Sequence, residues 1–149
     1  MRYIFLLFFI TSLYSTPIEI EAEFFEADEK NALTTLSGNV KVSRGLDVMK
    51  ADEMLLHLDA KHQISFIEAN TNSYIEIHLD KNVFIGSAKK FSYEPKKEMF
   101  ILLGDARLED NNGRVLLGET IIFNEQEKKA TVVGQEKQPV KLIFNTESK

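Results

Sequence analysis

The stretch Leu36–Val42, with the sequence LSGNVKV, returns 66 residues later at Leu102–Leu108 as LLGDARL. A glycine stands at the same place in both copies and is followed by Asn39 in the first and Asp105 in the second. The same offset, without a gap, pairs further positions of like character: Ala22 with Ala88, Phe25 with Phe91, Asp28 with Glu94, Leu33 with Met99, Glu53 with Glu119 and Phe66 with Val132. A 66-residue unit is longer than a simple solenoid repeat, so each copy must hold several strands. The sequence therefore predicts one β unit used twice, at about residues 18–83 and 84–149.

From Thr16 onward, apolar and polar residues alternate with the period of two that is typical of half-buried strands. Ile75 and Ile77, for example, alternate with Glu76 and His78. Turn-forming residues separate the runs: 28–31, 44–45, 59–61, 70–72, 94–97 and 110–113. The spacing of about ten residues predicts an all-β fold of ten or more antiparallel strands and no helix.

Gly38 and Gly104 interrupt strong strand patterns at equivalent places in the two copies. Glycine inside a strand usually marks a bulge or a sharp bend. A bend repeated in register would fold each unit over on itself and give two facing sheets. The first and last predicted strands, Ile18–Phe24 and Pro139–Asn145, would then lie at open edges, where another chain can pair with them.

The first fifteen residues have the pattern of a signal peptide. Arg2 supplies the positive start, and the apolar run Tyr3–Leu13 is shorter than the roughly 20 residues that a membrane-spanning helix needs. We expect cleavage after Ser15, which leaves residues 16–149 as a single exported domain. The alternative is an uncleaved membrane anchor.

Composition and motifs argue against several classes of function. The chain of 149 residues has 18 basic and 23 acidic residues and no cysteine, a balance unlike that of nucleic-acid-binding proteins. It contains neither a Gly-x-Ser-x-Gly elbow nor a phosphate-binding glycine loop. Its three histidines, His57, His62 and His78, have no metal-ligand spacing. The sequence predicts no catalytic residue, no metal and no cofactor.

Several short motifs resemble the organic-solvent-tolerance-like (OstA-like) repeat of the lipopolysaccharide transport proteins. In the first copy they are Ala22-x-x-Phe25, Leu36-x-Gly38-Asn39-Val40-x-Val42 and Ala51-Asp52-Glu53. In the second copy they are Ala88, Tyr93, Leu102-x-Gly104-Asp105-Ala106 and Gly118-Glu119, and the closing segment Gln138–Phe144 also fits. The second copy departs from the pattern at Leu117–Glu119, which replaces the alanine-acid-acid form of Ala51–Glu53.

The resemblance implies an open, twisted antiparallel β-jellyroll whose two facing sheets form a V. In this family the apolar interior shelters the lipid A acyl chains of lipopolysaccharide. With the signal peptide, the chain is similar to the soluble periplasmic bridge members, whose copies join head to tail. An LptC-like partner is then expected at the N-terminal edge and an LptD-like partner at the C-terminal edge. Two alternatives are a membrane-anchored LptC-like relative and a closed β domain that acts only through edge-strand contacts with proteins.

The residues expected to line the lipid groove share an inward direction in the alternation, and their contact with lipid is implied by the resemblance. They are Leu36, Val40, Val48, Leu56, Phe66, Ile75, Ile77, Phe91, Leu102, Ile121, Phe123, Val132, Leu142 and Phe144. The residues expected at the protein-binding edges are Ile18, Ile20, Ala22, Val140, Leu142 and Ile143.

Overall fold

The computed structural model describes residues 16–146, which form ten β-strands and no helix. The predicted signal peptide lies outside the described residues. The strands are β1 (Ile18–Glu21), β2 (Phe24–Asp28), β3 (Leu33–Arg44), β4 (Asp47–Leu58), β5 (Ile64–Leu79), β6 (Asn82–Glu94), β7 (Met99–Asp110), β8 (Val115–Asn124), β9 (Lys129–Val133) and β10 (Lys141–Ile143).

All ten strands belong to one sheet, in the order β1-β3-β4-β5-β6-β7-β8-β10. In addition, β2 pairs with β3 and β9 pairs with β8, and every pairing is antiparallel. The strands follow the alternation in the sequence. In β5, for example, Ile75 and Ile77 are buried, whereas Glu76 and His78, which alternate with them, are half-buried. The predicted all-β antiparallel fold is confirmed.

Each long strand from β3 to β8 carries a register shift near its middle. Three pairs of residues at these corners have positive φ: Gly38–Asn39 in β3, Thr71–Asn72 in β5 and Gly104–Asp105 in β7. Positive φ is costly for most residues but open to glycine, and asparagine and aspartate tolerate it best among the others. The predicted bends at the two glycines are confirmed. The prediction of a turn at residues 70–72 is wrong, because β5 continues through this stretch and only bends there.

The corners divide the strands into halves, and the halves form two facing layers. The first layer consists of residues 24–28, 33–37, 53–57, 64–70, 90–94, 99–103, 120–124 and 129–133. The second layer consists of residues 18–21, 40–44, 47–51, 73–79, 82–88, 106–110, 115–118 and 141–143.

The layers meet closely, since a Cβ placed on Gly86 of the second layer would lie 3.0 Å from Leu102 Cδ1 of the first. The strands cross between the layers at the corners, which therefore close one side of the molecule. The hairpin turns lie on the other side, which we call the mouth.

Two rows of side chains run through the interior across the strands, each residue being the register partner of the next. The first row is Phe25, Leu36, Met54, Ala69, Phe91, Leu102, Ile121 and Val132. The second row is Ile20, Val42, Met49, Ile75, Gly86, Leu108, Leu116 and Leu142. The apolar lining is thus continuous from one edge of the sheet to the other.

Both edges of the sheet are open within residues 16–146. β1 and β2 pair only with β3, and β9 and β10 pair only with β8. The sequence pattern predicts one strand over Ile18–Phe24, but the chain leaves β1 at Glu21 and crosses to the first layer before β2. As a result Phe25, the partner of Leu36, faces inward in place of Phe24. The predicted open jellyroll is confirmed by this topology.

Candidate functional site

The middle of the interior is filled by side chains. Met54, Leu102 and Ile121 of the first row and Ile75 of the second are 0% exposed. The space left beside Val42 has a volume of only about 20 Å³, which is room for a single water molecule at most. An apolar chain can therefore enter this part of the interior only if the two layers separate.

Nine of the fourteen residues predicted to line a groove lie in this interior, each at most 3% exposed. They are Leu36, Val40, Leu56, Ile75, Ile77, Phe91, Leu102, Ile121 and Phe123.

Val48 and Phe66 lie on the outer face, so their predicted inward direction is wrong. Val48 is the register partner of Glu76, and its neighbour Met49 is the buried residue. The bulge after Lys50 changes which residues of β4 face inward, so Val48 and Leu56 cannot share a face.

The wrong direction predicted for Phe66 has a different cause. Its neighbour Ile67 is also apolar, so alternation cannot decide between the two, and Ile67 is the residue that is 0% exposed. The Phe66 ring instead lies 5.6 Å from the His57 ring, centroid to centroid, on the outer face.

The last three predicted lining residues lie at the C-terminal end. Val132 is half-buried and ends the first row, whereas Leu142 is exposed and ends the second. Phe144 is 61% exposed and borders a cleft of about 290 Å³ whose walls include Leu116 and Phe123. The interior is therefore accessible at this end.

The predicted edge residues lie on or beside the outermost strands. Ile18 is half-buried in β1, while Ile20 in β1 and Ala22 just after it are exposed. Val140 precedes β10, which contains Leu142 and Ile143, and all three are exposed.

Sequence reasoning missed several inward-facing residues, among them Phe25 at the open edge and Met49, Met54 and Ile67 in the core. The signal for Phe25 was available in the repeat, because the 66-residue offset pairs it with Phe91. Met54 stands two residues before Leu56 and shares its face, whereas Met49 could not be assigned without the position of the bulge in β4.

Polar contacts join the two layers at the mouth. Arg44 Nη1 of the second layer donates a hydrogen bond of 3.4 Å to the Tyr93 hydroxyl of the first. Lys128, in the turn after β8, forms an ion pair with Asp80 in the turn after β5. Both partners of this pair are more than half exposed, and exposed pairs contribute about 0–1 kcal/mol. These contacts can therefore break without unfolding the layers.

Glu125 lies beside these contacts and is the most perturbed carboxyl group at the mouth. Burial, together with the nearby carboxylates of Asp47 and Glu98, raises the pKa of Glu125 to about 7, although Arg44 acts in the opposite direction. Burial also raises the pKa of Tyr93 to about 12, so its hydroxyl keeps its proton.

Within residues 16–146, no group of three or more histidine and carboxylate side chains is arranged to hold a metal ion. The same residues contain no helix long and apolar enough to cross a bilayer.

Comparisons with known proteins agree with the fold. The family model described as "LptA/(LptD N-terminal domain) LPS transport protein" matches residues 19–129. The structure is similar to a crystal structure of LptH, described as the LptA homologous periplasmic component of the lipopolysaccharide transport device from Pseudomonas aeruginosa. The TM-score is 0.81 at 18% sequence identity, over 88% of this chain and 96% of that one. No curated protein matches the chain.

The two layers, the open edges and the continuous apolar rows define the class of fold, an open antiparallel β-jellyroll. The family match covers most of the chain. The chain belongs to the LptA/LptD N-terminal domain family of lipopolysaccharide transport proteins, and the resemblance drawn from its motifs is confirmed.

Proposed function

We propose that this protein is a periplasmic bridge that carries lipopolysaccharide between the inner and outer membranes. Its layers shelter the lipid A acyl chains, while the sugar and phosphate groups remain in water at the mouth. One observation carries the proposal: both interior rows run unbroken from edge to edge of the sheet.

The ends of the rows support a lining that continues into neighbouring molecules. At the N-terminal edge the rows end on Phe25, which is 63% exposed, and Ile20. At the C-terminal edge they end on Val132 and on Leu142, which is 52% exposed. A closed structural domain would cover large apolar residues at the ends of its core.

The energetics require a shelter of this kind. Exposing a fourteen-carbon acyl chain to water costs about 11 kcal/mol at about 0.8 kcal/mol per methylene. A row of similar apolar side chains holds such a chain at nearly constant free energy along its length, so the chain can slide. The path becomes longer when the N-terminal edge of one copy, β1 or β2, pairs with the C-terminal edge of the next, β9 or β10.

Charge supports recognition through the acyl chains. The chain carries a net charge of −5, which does not favour a broad grip on the phosphates of the head group. We further propose an LptC-like partner at the N-terminal edge, an LptD-like partner at the C-terminal edge, and head-to-tail pairing of copies between them.

Photo-crosslinking tests the lipid-binding part. A benzophenone amino acid replaces Phe91, which is 2% exposed in the first row, or Phe66, which lies on the outer face. Each purified variant is mixed with lipopolysaccharide and irradiated. We expect an adduct from position 91 and at least tenfold less from position 66.

Circular dichroism controls for folding of both variants. Two further interior positions of the same row are Leu102 and Ile121. Absence of an adduct from all three interior positions in folded variants, or equal yields inside and outside, would refute the proposal.

A further inference from the structure

The Glu125 carboxyl group is the most unusual polar group in the described part of the chain. It is 9% exposed, and its Oε1 is buried without a hydrogen-bond partner among residues 16–146. A buried carboxylate without partners is unfavourable, whereas a neutral carboxylic acid is tolerated. Closure of the mouth therefore favours the protonated form of this carboxyl group over the ionised form.

The groups that face Glu125 come from both layers. Arg44 and Asp47 flank the β3–β4 turn of the second layer, and Glu98 and Tyr93 belong to the first. The Glu125 amide donates a 3.0 Å hydrogen bond to the Glu98 carbonyl, which fixes the two turns side by side. The one cation of this set, Arg44, donates to Tyr93.

Asp47 and the charged groups of the neighbouring turns have hydrogen-bond or ion-pair partners other than Glu125. Asp47 Oδ1 accepts the His78 amide at 2.8 Å, and the His78 ring lies 2.8 Å from Glu76 Oε1. Lys128 forms its ion pair with Asp80. Ionised Glu125 would therefore face Asp47 across the mouth and Glu98 beside it, with Arg44 as the only opposing charge among these groups.

We propose that Glu125 is a proton-controlled clasp between the two layers: the neutral acid permits the mouth to close, and the ionised form drives it open. If the lipid-carrier function holds, this opening is the lateral entrance through which acyl chains reach the interior rows. That consequence rests on the proposed function, whereas the clasp itself does not.

The direction of the effect follows from linkage. In the closed mouth the pKa of Glu125 is about 7, and in an open, solvated mouth it returns towards the ordinary value of 4.5. The closed mouth is therefore most stable at pH values below 4.5. Its stability falls as the pH rises from 4.5 to about 7, and it does not change further above about 7. The ratio of open to closed molecules should rise at least about tenfold between about pH 5 and about pH 8.

A spin-label distance measurement tests the clasp without lipid. The chain has no cysteine, so Leu46→Cys and Gln126→Cys provide two specific labelling positions. Leu46 is 71% exposed in the β3–β4 turn, and Gln126 is exposed in the β8–β9 turn. The distance between the two spin labels across the mouth is measured by electron–electron double resonance at the lower and at the higher of these two pH values. We expect a longer, broader distribution at the higher pH, and a short distance at both pH values in Glu125→Gln.

Glu127→Gln is the matched control, because Glu127 is exposed in the same turn, and it should respond to pH as the parent does. Distances independent of pH in the parent, or an unchanged response in Glu125→Gln, would overturn the clasp. Lipopolysaccharide crosslinking at position 91 is measured in parallel. Loss of crosslinking with an intact pH response would refute only the carrier function.

Discussion

The side-chain amide of Asn72 donates a hydrogen bond of 2.8 Å to Oδ2 of Asp52, and this contact joins β5 to β4 where both strands bend. Equivalent contacts stand at the other two corners with positive φ: Asn39 with Glu23 at 2.8 Å, and Asp105 with Lys89 at 3.3 Å. Asn39, Asn72 and Asp105 are 33 residues apart, half of the offset found in the sequence. Each corner thus combines a residue that tolerates positive φ with a polar contact, which reaches the neighbouring strand at Asn72 and Asp105 and the segment between β1 and β2 at Asn39.

We expect Asn72→Ala to lower the free energy of unfolding by about 1–2 kcal/mol, because alanine is strained at positive φ and the hydrogen bond is lost. Asn72→Gly separates the two causes, since glycine loses the hydrogen bond but not the tolerance of φ. Urea denaturation measures both variants. Equal destabilisation by alanine and glycine would show that backbone strain at φ 52° contributes nothing.

Gly38→Ala should be among the most damaging substitutions at the corners. An added Cβ would lie 2.7 Å from Glu23 Cβ, in addition to the strain of φ 79°. Gly104→Ala is the matched control, because its φ is 85° but the nearest atom, Lys89 Cδ at 3.0 Å, is part of a flexible side chain. We expect a loss of about 3 kcal/mol or more at position 38 and a smaller loss at 104, measured by thermal and urea unfolding. A larger loss at 104 would contradict this account.

Adjacent residues of β7 offer a test of the two faces. Leu102 is 0% exposed in the first row, whereas Leu103 is 46% exposed on the outer face. We expect Leu102→Ala to cost about 2–5 kcal/mol, as truncation of buried leucines does, and Leu103→Ala to cost less than about 1 kcal/mol. Similar losses in urea denaturation would show that the register assigned to β7 is incorrect.

Asp110 gives the protein a stability term that acid removes. Burial raises the pKa of Asp110, but hydrogen bonds from Arg114 and Asn112 together outweigh it and hold the pKa below the ordinary value of 3.8. The stabilisation by ionised Asp110 is therefore complete at pH values above 3.8, and it is lost as the pH falls through the lower pKa that Asp110 has in the folded protein. We expect Asp110→Asn to lower the free energy of unfolding by about 2 kcal/mol near neutral pH and to reduce the loss on acidification. Unfolding curves at neutral and acidic pH measure both effects.

The control is Glu127→Gln, whose side chain is exposed. It should leave the acid limb of the stability profile unchanged. If Asp110→Asn loses as much stability on acidification as the parent, the hydrogen bonds from the Asn112 and Arg114 amides to Asp110 do not have the role given to them.

The all-β class, the bends at Gly38 and Gly104 and most of the interior could be predicted because strand alternation and glycine act locally. The direction of Val48 could not, since it depends on a bulge that shifts β4 by one residue relative to β5. The continuous strand through residues 70–72 could not be predicted either. Asparagine and threonine there are ordinary turn residues, and it is the pairing with β4 and β6 on both sides of them that shows that the strand continues.

The mouth contacts were also beyond sequence reasoning. Arg44 and Tyr93 are 49 residues apart and meet only because the layers face each other. Glu125 belongs to an ordinary turn sequence, and its pKa is raised by burial and by the charges of Asp47 and Glu98, which lie at other turns of the chain. No local pattern marks such a residue.

The C-terminal edge offers the last prediction, on assembly. Ile143 pairs with Val115 on one side of β10, and the other side of β10 is unpaired within residues 16–146. We expect Ile143→Pro to abolish head-to-tail pairing, because proline lacks the backbone donor that an added strand needs. Ile143→Ala keeps that donor and removes only the side chain, so it should still assemble. Light scattering across a concentration series measures the oligomers, and circular dichroism verifies the fold. A proline variant that assembles like the parent would show that this edge is not the joint between copies.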